Sequence, residues 1–257
     1  MSSISAPDLR ASRDAVRAKS PLVHNLTSAV VANFTANALL AFGASPAMVE
    51  AAEEVEAFAA AADALVINLG SLTTARAEVM RRAANAANLG GTRWVLDPVA
   101  AGAIAQRTNF ALELCQLRPT AIRGNASEIL GLAGQSGHGR GVDSTSRSEA
   151  AIAAAQSLAQ STGAIVAVTG AIDYVTDGQQ VIAIAHGHPL MARVTGMGCA
   201  ASAIVAACVG AVSDRLTATA HAIALNGLAG EHAAGIAKGP GSLMIAYLDA
   251  LASDDLA

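Results

Sequence analysis

Ala64-Leu65-Val66-Ile67-Asn68 and Arg93-Trp94-Val95-Leu96-Asp97-Pro98, separated by a helical stretch at 73–89 and a Gly90-Gly91 break, decide the architecture. Each is a short apolar run that ends in a polar group. Runs that are apolar throughout, rather than alternating, read as strands buried on both faces, the pattern of a parallel sheet covered by helices. The same unit repeats outward. Downstream, a helix at 108–116 leads to Thr120-Ala121-Ile122-Arg123-Gly124-Asn125 and a helix at 126–132. A glycine-rich loop at 135–141 and a long alanine-rich helix at 146–160 lead to Ala164-Ile165-Val166-Ala167-Val168-Thr169-Gly170. Asp177-Gly178 then separates two short runs, 174–176 and 181–185, as a hairpin. Upstream, a polar helix at 7–19 precedes a strand at 22–25 that carries Asn25 to an edge. A helix at 28–42 stopped by Gly43, an extended segment at 44–48 and an acidic helix at 53–62 follow. Strands alternating with helices, with no linker and no repeat, predict one α/β domain over 1–257 with a largely parallel sheet. Ligands of such sheets sit at the carboxyl ends of the strands. Asn25, Asn68, Asp97, Arg123 to Asn125 and Thr169 all fall there.

Thr195-Gly196-Met197-Gly198-Cys199 stands before a run of small apolar residues at 200–212. Glycines at a helix start bring several N–H groups to one point, and the helix end adds partial positive charge. The stretch therefore suits an anion such as a transferring phosphoryl group. Cys199 sits where the helix begins, a place where thiol pKa values tend to fall. Asp97, stiffened by Pro98, and Glu128 can hold Mg²⁺ from neighbouring strand ends, since magnesium needs only one or two carboxylates beside phosphate and water. For Glu128 the competing expectation is a capping box with Asn125. Arg123 offers a planar fork for phosphate, and Thr169-Gly170 a hydroxyl or N–H. His186-Gly187-His188 reads as a solvated turn with no carboxylate beside it. His221, His232, Cys115 and Cys208 read as helix or core residues.

Composition excludes several classes. The chain is 53% hydrophobic and only 14% charged, below the quarter or so usual in soluble domains. So few charges predict that some apolar surface is covered by other copies of the chain. A net charge of −4, with no basic run or aromatic ladder, leaves no footprint for nucleic acid. Three cysteines make no disulfide framework and fit a reduced cytoplasm. The mean hydropathy of +0.44 raises the question of a membrane. The uncharged run 194–213 is mostly Ala, Gly, Ser and Thr, and the run 20–49 contains His24, asparagines and proline, so both predict buried soluble segments. The N-terminus is charged and lacks the apolar core of a signal peptide.

Taken together the motifs resemble the hydroxyethylthiazole kinases, thiamine-salvage enzymes of the ribokinase-like fold. The resemblance runs through Pro21 to Asn25, Asn33-Phe34-Thr35-Ala36-Asn37, Gly43 to Met48, Asn68-Leu69-Gly70, Asp97-Pro98-Val99, Gly124-Asn125 to Glu128, Gly141-Val142-Asp143-Ser144, Val168-Thr169-Gly170 to Asp173-Tyr174, and Thr195 to Cys199. It implies transfer of the γ-phosphate of ATP, with Mg²⁺, to the hydroxyl of 4-methyl-5-(2-hydroxyethyl)thiazole, by a cytoplasmic homotrimer with substrate sites at subunit interfaces. It implies contacts to the thiazole from Met48, Gly196 and Asn25, contacts to ATP from Arg123 and Thr169, and magnesium-side acids at Asp97 and Glu128. Gly196 to Cys199 would be the anion hole and Cys199 the general base. The turn departs from the usual TGTGC in having Met197 for the second threonine, which keeps the backbone N–H groups and removes a hydroxyl. A related kinase for a pyrimidine or sugar alcohol stays open. So does a binding protein without catalysis. A dinucleotide oxidoreductase is disfavoured, because no GxGxxG follows the first strand.

Overall fold

A computed structural model describes residues 4–134 and 144–257, with side chains described up to 134 and from 150. The glycine-rich loop expected at 135–141, and Gly141-Val142-Asp143, lie outside the described residues.

One eight-stranded sheet forms the centre. Its strands are β1 (Leu22–Leu26), β2 (Ser45–Ala47), β3 (Ala64–Asn68), β4 (Arg93–Asp97), β5 (Ala121–Asn125), β6 (Ile165–Thr169), β7 (Asp173–Thr176) and β8 (Val181–Ile184). They lie in the order β2-β1-β3-β4-β5-β6-β7-β8. All neighbours from β2 to β6 pair in parallel, and the last two pairs are antiparallel. The predicted hairpin is present. Asp177 Oδ1 accepts the N–H groups of Gln179 and Gln180 at 2.8 Å each, and Gly178 takes φ 94°. These contacts close a turn that an L side chain would strain.

Helices cover both faces. On one side lie α1 (Ala6–Lys19), α2 (Ala32–Phe42), α8 (Met197–Ala211), α9 (Arg215–Ile236) and α10 (Pro240–Ala252). On the other lie α3 (Val55–Ala61), α4 (Thr74–Gly90), α5 (Ala105–Gln116), α6 (Ala126–Leu132) and α7 (Ser144–Thr162). The strands sort their side chains by alternation. Val66, Val95 and Ala167 face the first layer, whereas Leu65, Ile67, Leu96 and Ile122 face the second. The smaller residues lie under α8, which is itself nearly all small residues. Ala200 through Val209 are buried on every side between the sheet and α1, α2 and α9. That burial accounts for the uncharged run 194–213, and no helix among the described residues is long and apolar enough to cross a membrane.

Some boundaries differ from expectation. The second helix begins at Ala32 rather than 28, because Ser28 to Val31 form a turn closed by the Val31 N–H donating to Ser28 O at 3.0 Å. The segment at 44–48 is a true edge strand, paired through Ser45, Pro46 and Ala47. Proline is tolerated there because only one side of the strand is paired.

Candidate active site

The carboxyl ends of β3 to β6 and the start of α8 converge. Gly196 caps α8 with φ 90°, and a Cβ there would stand 3.0 Å from Val31 and 3.1 Å from Phe34. Gly198 answers to a different neighbour, since its Cβ would stand 2.7 Å from Arg123 Nη1. Glycine thus lets the guanidinium lie against the first turn of α8. Arg123 Nη2 donates to Thr169 Oγ1 at 2.7 Å, across the pairing of β5 with β6. A fixed cation and the unsatisfied N–H groups of a helix start then share one wall of a cavity of about 550 Å³. Met197 turns its side chain into the core, so only its backbone is offered to an anion.

Asp97 ends β4 and is 1% exposed. Its Oδ2 accepts from Asn68 Nδ2 at 2.6 Å and from Ser202 Oγ at 2.8 Å. Burial pushes its carboxyl up to about 6, with Glu128 adding to the rise and Arg123 opposing it. Glu128 is a capping residue in full. Its Oε2 accepts the Asn125 N–H at 2.8 Å, its own N–H donates to Asn125 Oδ1 at 3.0 Å, and its Oε1 accepts the Ala100 N–H at 2.9 Å. Each oxygen keeps a second lone pair. A buried Asp97 carboxyl and the Glu128 carboxylate, each with a lone pair to spare and with one arginine nearby, are an oxygen donor set that a hard divalent cation suits.

Cys199 departs from the sequence expectation. The thiol is half-buried, and burial, with Asp97 adding to it, pushes it up to about 11. The N–H groups of the helix start do not overcome desolvation and a neighbouring carboxylate. At neutral pH Cys199 is a protonated thiol whose Sγ accepts from Asn68 Nδ2 at 3.2 Å.

Asn25 and Met48 lie toward the other edge of the sheet, on β1 and just past β2. Asn25 is not presented at an edge as its sequence position suggests. It is fully buried, with Nδ2 donating to Val23 O at 2.8 Å and Oδ1 without a partner. β1 continues one residue further, to Leu26, which draws Asn25 inside. Met48 is half-buried.

Three further contributors were given no site role in the sequence. Asp173 Oδ1 accepts the Gly170 N–H at 2.8 Å and so holds the turn after Thr169. His186-Gly187-His188 is not free of carboxylates, because Glu231 of α9 accepts the Gly187 N–H at 2.9 Å and lies 3.3 Å from His186 Nδ1. Asn226, with its Oδ1 accepting from Tyr247 at 2.7 Å, also lines the cavity. Glu231 and Asn226 meet the site through tertiary packing of α9, which no spacing rule could have shown, whereas Asp173 lies only three residues from its partner Gly170.

Residues 14–254 match the model of the hydroxyethylthiazole kinase family. The chain belongs to the hydroxyethylthiazole kinase family. A relative from Granulibacter bethesdensis named hydroxyethylthiazole kinase is 56% identical over 94% of this chain and 88% of its own length. A solved hydroxyethylthiazole kinase structure from Pyrococcus horikoshii superposes with TM-score 0.88 at 41% identity, covering 95% of this chain and 92% of that one. A ribokinase-like superfamily protein from Enterococcus faecalis, at TM-score 0.67 and 12% identity, shares the fold.

Proposed function

We propose that the protein transfers the γ-phosphoryl group of ATP to the hydroxyl of 4-methyl-5-(2-hydroxyethyl)thiazole, a step of thiamine salvage. The observation that carries this is the contact of Arg123 with the Gly198 backbone at the start of α8, inside a cavity large enough for a nucleotide.

ATP enters the cavity on the β5 and β6 side. Arg123 and Thr169 take its phosphates, and the N–H groups of Gly196 to Cys199 take up charge on the transferring group. The thiazole alcohol lies on the Gly196 side, toward Met48 and Asn25. Asp97 and Glu128 are the residues that would hold Mg²⁺, which when bound neutralises phosphate charge. Phosphoryl transfer passes through a loose transition state, so orientation and electrostatic stabilisation outweigh the strength of the base. A thiol near 11 is protonated at neutral pH and is accordingly a contact to the acceptor hydroxyl rather than a ready base.

The whole chain acts as one domain. Low charge and the exposure of Val30, Leu40 and Ile245 on the α2 and α10 side support a homotrimer that completes the thiazole site between copies. A cytoplasmic protein is in keeping with three free cysteines.

Incubation with ATP, Mg²⁺ and the thiazole alcohol, with hydroxymethylpyrimidine and ribose in parallel, tests this reading by mass analysis of the products. Thiazole monophosphate is expected. A phosphorylated product from only one of the other alcohols would keep the chemistry and overturn the substrate.

A further inference from the structure

Asn68-Leu69-Gly70 has no role in the scheme above, yet its geometry is tightly determined. Asn68 ends β3, is fully buried and does not line the cavity. Its Oδ1 accepts the Gly70 N–H at 2.9 Å. An N–H cannot donate to an NH2 group, so this bond fixes which way the amide points. The NH2 therefore faces the α8 start, and its two hydrogens have two acceptors, Asp97 Oδ2 at 2.6 Å and Cys199 Sγ at 3.2 Å.

The turn is secured from outside as well. Arg107 Nη2 donates to Gly70 O at 2.9 Å, and the Ser28 and Ser71 hydroxyls meet at 2.7 Å. Gly70 leaves no space, because a Cβ there would stand 2.8 Å from Asn68 Oδ1. In the sheet Asn68 is the register partner of Asp97. One amide thus ties a strand end to the first turn of α8.

We propose that Asn68 is a positioning residue of the phosphoryl-transfer centre. By making the Cys199 sulfur an acceptor, it leaves the S–H hydrogen free to donate into the site. With its other hydrogen it fixes the Asp97 carboxylate, which Ser202 holds from the opposite element. The proposal rests on the reading of Cys199 and Asp97 as reaction-centre residues. It assigns the Asn68-Leu69-Gly70 motif the task of setting their relative orientation.

The test is a mutant cycle on the full-length kinase with ATP, Mg²⁺ and the thiazole alcohol. Asn68→Ala is expected to lower kcat about tenfold or more while leaving both KM values within about threefold, since the residue does not line the cavity. In a Cys199→Ala background the same change should cost less than half as much on a logarithmic scale, because part of its target is already gone. Gly70→Ala is the second variant. It leaves residue 68 intact but displaces its amide, and should reproduce the loss of kcat at preserved KM. Thermal melting of each variant confirms folding. If Asn68→Ala costs as much with Cys199 absent as with it present, or if kcat is unchanged, the positioning role is wrong. If Cys199→Ala and Asp97→Asn both retain wild-type kcat, the reaction-centre reading fails first and the proposal falls with it.

Discussion

Gly198 and Arg123 occupy what would otherwise be the same space. A Cβ on residue 198 would lie 2.7 Å from Arg123 Nη1, so the guanidinium reaches the start of α8 only because residue 198 has no side chain. Gly198→Val should therefore act as an arginine mutation as well as a turn mutation. The expected loss in kcat/KM for ATP is on the order of a hundredfold or more, as when a fixed charge-stabilising donor is removed. Steady-state kinetics with varied ATP measure it. Wild-type values in a folded Gly198→Val protein would remove this contact from the account.

Cys199 gives a different kind of outcome. With its thiol pushed up to about 11 by burial and by Asp97, it is almost wholly protonated at neutral pH. Alkylation should be slow near pH 8 and accelerate steadily as pH rises, whereas a thiol lowered by the helix end would react fast and without slope. Cys199→Ser should lower kcat only modestly, about tenfold or less, because the transition state asks little of a base. Stopped-time alkylation followed by mass analysis decides the first point, and single-turnover kinetics the second.

The sheet and the polar residues at its strand ends were legible in sequence for a physical reason. Buried parallel strands must be apolar throughout, so β3, β4 and β6 stand out, each closed by a polar last residue at the carboxyl end of the sheet. The capping box at Asn125 and Glu128 was equally local and is present. Asn25 was misplaced because its strand runs one residue further than its apolar run suggests. The high thiol pKa of Cys199 was hidden because burial and the position of Asp97 are properties of packing, not of spacing. Asn226 reaches the cavity, and Glu231 braces the 186–188 segment that lines it, from a helix whose sequence reads only as alanine-rich.

Gly227 allows the 186–188 segment to lie directly on α9. A Cβ there would stand 2.6 Å from His186 Cβ and 2.9 Å from its carbonyl carbon, so backbone would have to move. Because that segment lines the cavity, Gly227→Val should raise KM for ATP by about tenfold and spare kcat, the signature of lost binding common to ground and transition states. Nucleotide titration calorimetry checks it. Unchanged affinity would show that this wall does not meet ATP.

Acid should destabilise the fold through its histidines. Burial holds His24 and His221 below their ordinary value of 6.5. The unfolded chain then binds protons that the folded chain refuses, so this contribution is full above 6.5 and shrinks as pH falls below it. His24 carries the heavier cost. Its Nε2 bonds Val49 O at 2.7 Å, and a second proton would have to sit on Nδ1, which is buried without a partner. Asp97 and Asp173, raised to about 6 by burial, act in the opposite sense and favour the fold as pH falls through that value. His24→Gln should therefore flatten, or reverse, the decline of Tm below pH 6.5. An identical slope in the variant would remove His24 as its source.

The central claim is that the start of α8, with Arg123 and Thr169, holds the transferring phosphate. A crystal structure with a non-hydrolysable ATP analogue, Mg²⁺ and the thiazole alcohol tests it most directly. The account predicts the γ-phosphate within hydrogen-bond distance of the Gly198 and Cys199 N–H groups, Arg123 on the phosphates, and the alcohol oxygen beside Cys199. A nucleotide seated elsewhere, with the start of α8 free of phosphate, would contradict it.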